Sequence, residues 1–317
     1  VTIRSTALKA VGAVAAAALL LTGCSSADSG ASGDSDALEV YATTGYLADA
    51  VANIAPDAEV TTMVGPGGDP HTYQPSTKDI ETINAADVVF WNGLHLEAQM
   101  TDQLSSLGDR QLAVGDQLPE DMLLDWPETD DEGNPLHDPH VWNSPEAWTE
   151  VVGLVADKLA DVDPDNADEY RDNAEDYKGR IEEAAAEARE KLADIPEPRI
   201  LITGHDAFNY FGDTFGLEVR ATDFVSTEAK LSAGELSELA DLIAEKKVPV
   251  IFQDNQANPQ AITSLKEAVR SRGWDVEVSD QELYADSLGA DAGVDTYLGV
   301  FSHNVDAVAE ALGKASR

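Results

Sequence analysis

Apolar positions along the chain switch repeatedly between a strand period and a helix period. Leu38 to Thr44 reads as a short strand stopped at Gly45, and Tyr46 to Ile54 continues with Leu47, Val51 and Ile54 at helical spacing. Glu59 to Val64 is a second strand. Ser76 to Ala85 reads as a helix with Ser76 as N-cap and Asp79 in its first turn. Asp87 to Trp91, built on Val88-Val89-Phe90, has the continuous apolar run of a buried strand. A helix from Leu96 to Leu107 and a strand from Gln111 to Val114 complete the first run. Strand and helix in strict alternation predict a parallel sheet.

A polar loop is expected from Leu118 to Leu136, then a helix from Pro145 to Leu159 with Trp148, Val152 and Val155 on one side. Pro164 to Leu192 is charged and alanine-rich, and its large apolar residues are chiefly Tyr170, Tyr177, Ile181 and Leu192. That pattern predicts a strut outside any core, ended by Pro196 and Pro198. Alternation then resumes: a strand at Arg199 to Thr203, helices at Ala207 to Phe215 and Ser232 to Lys246, and a strand at Val248 to Gln253. A helix at Pro259 to Arg272, a strand at Asp275 to Val278 and a last helix at Thr296 to Leu312 follow. The expected fold class is α/β: two α/β lobes with mainly parallel sheets, joined by one long rigid helix, with a cleft between them. The corresponding boundaries are 37–160 for the first lobe, 161–196 for the linking helix and 197–317 for the second lobe.

The amino-terminal stretch departs from this pattern. Arg4 and Lys9 precede an apolar run from Ala10 to Leu21, too short to span a bilayer, and Leu21-Thr22-Gly23-Cys24 is similar to a bacterial lipobox. Residues 1–23 are therefore expected to be a lipoprotein signal peptide, with Cys24 lipidated and 24–36 a flexible tether of Ser, Gly, Ala and Asp. The expected location is outside the cell, held by lipid on the outer face of the cell membrane. Cys24 is the single cysteine, so neither an intramolecular disulfide nor a thiolate metal site can form.

Charge narrows the function classes. The chain carries 20 Lys+Arg against 60 Asp+Glu, a formal net charge of −40. Such a protein repels nucleic-acid phosphate and attracts cations, which excludes nucleic-acid partners. Its 43% hydrophobic content is that of a folded body.

Among six histidines, two occur in the same tripeptide, Asp69-Pro70-His71 and Asp138-Pro139-His140. Proline fixes its own φ and biases the preceding residue to an extended conformation, so the imidazole after it is aimed. An aimed neutral imidazole is a common ligand for a transition metal. His71 and His205 each follow a predicted strand, where ligands of open α/β sheets lie. Asp69, Asp138 and Asp206 flank these histidines, either as acceptors for the second imidazole N–H or as ordinary turn residues. His95 is expected to be structural, His137 a solvated loop residue and His303 a surface residue of the last helix. Trp142, Trp148, Phe208 and Phe211 are expected to be packing residues.

Several ordered segments resemble one family: Gly65-Pro66-Gly67-Gly68-Asp69-Pro70-His71-Thr72-Tyr73, Asn92-Gly93-Leu94-His95-Leu96-Glu97, Asp138-Pro139-His140-Val141-Trp142, His205-Asp206-Ala207-Phe208, Phe211-Gly212 and Tyr284-Ala285-Asp286-Ser287-Leu288-Gly289. The chain is identified as similar to the TroA-like metal-binding lipoproteins of bacterial ABC transporters, solute-binding protein family 9. The resemblance implies the metal ligands His71, His140, His205 and Asp286, with Mn2+ or Zn2+ as cargo and Fe2+ also compatible. It implies as partners a membrane permease with its ATPase, and a binding protein rather than an enzyme; the chain is expected to be a monomer. The stretch before His140 lacks a histidine-rich run and His205-Asp206-Ala207-Phe208 resembles the manganese branch, whereas histidine in place of glutamate at 205 points to zinc; manganese is placed ahead. Two alternatives are a surface adhesin with a structural metal and a secreted metallohydrolase. Against the latter, the chain has no H-E-x-x-H, and four protein ligands leave little room for an activated water.

Overall fold

A computed structural model of the chain describes residues 37–129, 133–223 and 231–313. The expected signal peptide, Cys24 and the expected tether lie outside the described residues, and so do residues 314–317. From Ala37 onward the chain forms one compact unit.

The first lobe is built on β1 (Glu39–Ala42), α1 (Gly45–Ile54), β2 (Glu59–Thr62), α2 (Thr77–Ala85), β3 (Val88–Trp91), α3 (Thr101–Ser105) and β4 (Gln111–Ala113). The strands form a parallel sheet in the order β2-β1-β3-β4. Thr44 caps α1 through Leu47 N–H, and Ser76 with Asp79 closes a reciprocal capping box on α2. The helix expected from Leu96 is shorter. Gly93, Leu94 and His95 all have positive φ (74°, 51° and 67°), so the chain leaves β3 through a left-handed turn. Leu94 N–H donating to Asp116 Oδ1 at 2.9 Å stabilises that conformation, and regular helix starts only at Thr101.

The stretch expected to be an irregular polar loop contains an antiparallel hairpin, β5 (Asp125–Thr129) and β6 (Pro135–His137). Trp126 is buried there, and its burial supplies the apolar anchor that acidic neighbours hide in the sequence. The chain continues through α4 (Pro145–Val162) and α5 (Ala167–Ala193).

The second lobe repeats the arrangement with β7 (Ile200–Thr203), α6 (Asn209–Phe215), β8 (Glu218–Ala221), α7 (Ala233–Lys246), β9 (Val250–Ile251), α8 (Pro259–Ser271), β10 (Glu277–Val278) and α9 (Tyr297–Gly313). Parallel ladders β8-β7 and β9-β10 are joined by Phe252 N–H donating to Ile202 O at 2.8 Å, so the strand order 8-7-9-10 matches 2-1-3-4 of the first lobe. Strand β8 is absent from the sequence reading, because Glu218-Val219-Arg220-Ala221 offers a single large apolar residue.

Helix α5 corrects the expectation that it stands outside the cores. Tyr170, Ala174, Tyr177, Ile181, Ala185, Ala188 and Leu192 are buried at intervals of three and four, one continuous face. Tyr170 to Ile181 join the first lobe's core, and Ala188 and Leu192 join the second's. Small alanines hide this face from a reading that counts only large side chains. Helix α9 lies against α5 and crosses in the same way, with Tyr297 and Val300 in the first core and Phe301, Val305 and Leu312 in the second. The lobes are thus joined by two packed helices.

Candidate metal centre

The three histidines and Asp286 meet where the lobes face each other. His140 Nε2 lies 3.2 Å from His71 Nε2 and 3.2 Å from His205 Nε2. Asp286 completes the group, with Oδ1 at 3.3 Å from His140 Nε2 and Oδ2 at 3.2 Å from His205 Nε2 and 3.6 Å from His71 Nε2. His140, His205 and Asp286 have no solvent exposure, and His71 has 5%. Among the described residues no other group of His, Cys, Asp or Glu has metal-site geometry. A tetrahedron with edges of this length places its centre about 2.0–2.2 Å from each corner, the bond length of a first-row metal to N and O donors.

Each donor is placed by local structure. Met63 and Val64 extend β2 by donating to the carbonyls of Ala42 and Thr43, which carries the chain to the sheet's edge and into the His71 loop. Gly67 takes φ +72° in that loop, a conformation suited to glycine. His205 follows β7 through Gly204, where a Cβ would stand 2.2 Å from that of Ala257. Gly204 and His205 both donate their N–H to Asp254 Oδ2 at 2.9 Å. Ala285 O accepts from Tyr46 Oη at 3.0 Å and Trp142 Nε1 at 2.9 Å, and Ala285 N–H donates to Asn255 Oδ1 at 2.8 Å. These bonds fix the backbone before Asp286, whose two carboxylate oxygens have no hydrogen-bond donor of their own.

The flanking aspartates divide. Asp138 Oδ1 accepts both His140 Nδ1–H at 2.7 Å and His140 N–H at 2.9 Å. With one proton held on Nδ1 by Asp138, it is Nε2 that faces the centre. Asp69 accepts His71 N–H and the Thr72 hydroxyl, both at 2.9 Å, as a turn residue does. Asp206 accepts from Asn209. The remaining histidines stand apart from the cluster. His95 is exposed, and His303 is half-buried with Nε2 against Glu282 O at 2.8 Å. His137 is on β6 rather than in a solvated loop, with Nε2 3.4 Å from Glu120 Oε1 and a buried Nδ1.

Electrostatics follow from burial and charge. Burial lowers His140, but the Asp138 and Asp286 carboxylates outweigh it and raise its pKa to about 10. His205 is also raised, Asp286 prevailing over burial. His71 is pushed well below the usual histidine value by burial. Asp286 lies well below the usual carboxylate range, since His205 and His140 outweigh its burial. Two buried acids were not singled out from the sequence as parts of the centre. Burial pushes Asp254 up to about 6, and Glu97 up to about 7 against the hydrogen bonds of Thr43, Asn92 and Gly93. Asn92 in turn donates to Pro139 O at 2.9 Å, beside His140.

Residues 40–311 match the family described as ZnuA, zinc-uptake complex component A, periplasmic. The chain belongs to this family. It is 35% identical over 305 residues to the manganese-binding lipoprotein MntA of Bacillus subtilis, covering 95% of this chain and 97% of that one. It is 36% identical over 281 residues to the zinc-binding protein TroA of Treponema pallidum, covering 87% and 89%. The solved structure of the latter, a periplasmic zinc-binding protein, superposes with a TM-score of 0.80 at 35% identity over 86% of this chain and 98% of that one. The two-lobed fold is therefore that of the family. No helix among the described residues is long and apolar enough to cross a membrane.

Proposed function

We propose that this protein is the extracytoplasmic substrate-binding lipoprotein of an ABC transporter. It captures a divalent transition metal between its lobes and delivers it to a membrane permease driven by a partner ATPase. The observation that carries this reading is the buried convergence of three imidazole Nε2 atoms and the Asp286 carboxylate. A divalent cation is the ligand whose charge and coordination such a set matches. Membership of the family supports transport as the purpose of binding. His71 and His140 come from a first lobe of residues 37–160, and His205 and Asp286 from a second lobe of residues 197–317. A cargo held this way leaves when the lobes part.

Manganese stands ahead of zinc as the cargo. The His205-Asp206-Ala207-Phe208 segment and the lack of a histidine-rich run before His140 favour it, and histidine at position 205 keeps zinc close behind. Four protein donors around one ion leave little room for an activated water, which supports capture over catalysis. Lipidation of Cys24 would hold the body at the membrane surface. Growth of a deletion strain under manganese or zinc limitation tests the assignment. Failure under manganese limitation is expected; a defect confined to zinc limitation moves the cargo to zinc, and normal growth in both overturns the transport reading. Cys24→Ala is expected to release the protein from the membrane into the medium.

A further inference from the structure

Asn209, the first residue of α6, is half-buried next to two of the aspartates that flank the centre. Its side-chain amide donates twice, to Asp138 Oδ2 at 3.0 Å and to Asp206 Oδ1 at 3.0 Å. Asp138 is the residue whose other oxygen holds His140 Nδ1, and Asp206 directly follows His205. One amide of the second lobe thus links the aspartate that aims a first-lobe histidine to the aspartate next to a second-lobe histidine.

On this geometry we propose that Asn209 is a positioning residue: by pinning the Asp138 carboxylate across the cleft it locks the ring of His140 onto the metal point when the lobes are together. The proposal rests on the metal-capture reading above. A carboxylate bonded through one oxygen can turn about its own axis, and the ring it holds turns with it. A donor on the second oxygen removes that freedom. The surrounding contacts act in the same direction. Tyr210 Oη donates to Asp138 O at 2.9 Å, and Asn143 Nδ2 to Ala207 O at 2.8 Å, so the start of α6 and the His140 loop are joined at three places. Of these three, only Asn209 reaches the carboxylate that orients the ring. Its two N–H groups also separate two carboxylates that would otherwise face each other unscreened.

The test uses Co2+ as the probe, because its visible spectrum reports coordination geometry. Asn209→Leu keeps the side-chain size and removes both donors, and Asn209→Ala replaces it if the leucine does not fold. The expected result is Co2+ binding roughly 10- to 100-fold weaker, with a changed visible spectrum and an unchanged far-ultraviolet dichroism of the metal-free protein. In a double-mutant cycle with Asp138→Asn, the two losses should not add, because Asn209 acts through Asp138. Unaltered affinity and spectrum overturn the proposal, and so does a loss that adds fully to that of Asp138→Asn. If the unmutated protein binds no Co2+, the metal-capture reading itself fails, and that outcome is distinct from a failure confined to Asn209.

Discussion

The two Asp-Pro-His segments share a sequence and a turn but not a role. In both, the aspartate accepts the N–H of its own histidine at 2.9 Å, so the tripeptide makes the same local turn twice. Beyond that turn the neighbours decide. Asp138 also grips the imidazole of His140, Asn92 holds Pro139 O, Trp142 lies edge-on to the ring with centroids 5.3 Å apart, and α6 ties down the loop from the other lobe. The His71 loop reaches the second lobe through Gly67 N–H to Ser287 Oγ at 3.0 Å and Gln256 Nε2 to Gly68 O at 2.7 Å. On these contacts the ring of His140 is held more firmly than that of His71, and His71 is expected to be the side chain that moves when the lobes part. A short motif dictates where a side chain starts, and tertiary contacts dictate how firmly it stays.

Replacing the two histidines in turn gives the largest test of this contrast. His140 touches every other member of the cluster, so His140→Ala removes its shared corner, and affinity for Mn2+ is expected to fall well beyond the roughly 100-fold typical of lost supporting contacts. His71→Ala leaves His140, His205 and Asp286 in place and is expected to keep weaker, measurable binding. Isothermal titration of both variants decides; a greater loss at His71 would reverse the assignment of firmly held and moving ligand.

Proton competition separates the pair next. His140 is raised to about 10 and His205 is raised, so at neutral pH the metal displaces protons. Affinity is expected to fall by about tenfold per pH unit for each proton displaced as pH drops from 7.5 to 5.5, with protons released on binding. Calorimetry in buffers of different ionisation enthalpy counts them. In the metal-free protein the two histidines act with opposite sign. The raised pKa of His140 contributes stability that is present below about 6.5 and lost as pH rises towards 10. The lowered pKa of His71 contributes stability that is present above about 6.5 and lost as pH falls through its depressed value. Thermal unfolding between pH 5 and 9 should therefore show His71→Gln relieving the acid-side loss and His140→Gln removing the acid-side gain. Parallel profiles for the two variants would remove the distinction.

The flanking aspartates carry a smaller effect of the same kind. Asp138→Asn exchanges the acceptor that holds the Nδ1 proton, and affinity for Mn2+ should fall about 10- to 100-fold. Asp69→Asn keeps an oxygen for the turn, and its effect should stay within a few-fold. Equal losses at the two sites would mean that both aspartates act on their rings.

What could be read from the sequence divides along the same line. The alternation of periods gave the α/β class, the Asp-Pro-His turns marked His71 and His140, and the end of a predicted strand marked His205. Asp286 has no such local mark, and only the resemblance pointed to it. Hidden features depend on partners far along the chain. Asn209 acts on Asp138, Asp254 on the turn at His205, and Trp126 hides in an acidic hairpin. The buried face of α5 is written largely in alanine, whose small side chain gives a weak apolar signal even where packing is close. Asp254 did have one trace: it follows a predicted strand, as His205 does.

The smallest expected effect concerns the latch on the His71 loop. Gln256→Ala removes the hydrogen bond to Gly68 O, and Ser287→Ala removes the acceptor shared by Gly67 N–H and Asn255 Nδ2. Each such bond contributes about 0.5–1.5 kcal/mol net, which corresponds to a change of a few-fold to about tenfold in an equilibrium. Gln256 supplies no donor to the metal point, so in Gln256→Ala the coordination geometry and the Co2+ spectrum should stay as they are while release into a chelator speeds up; Ser287→Ala, which also removes one bond from Asn255 beside Asp286, should speed release at least as much. Stopped-flow release measures this directly. Tyr210→Phe removes Tyr210's hydrogen bond to the His140 loop and serves as the comparison on the opposite side of the cleft. If His71 is the ligand that opens, the latch variants should speed release more than Tyr210→Phe does; if the order is reversed, the ion leaves past His140.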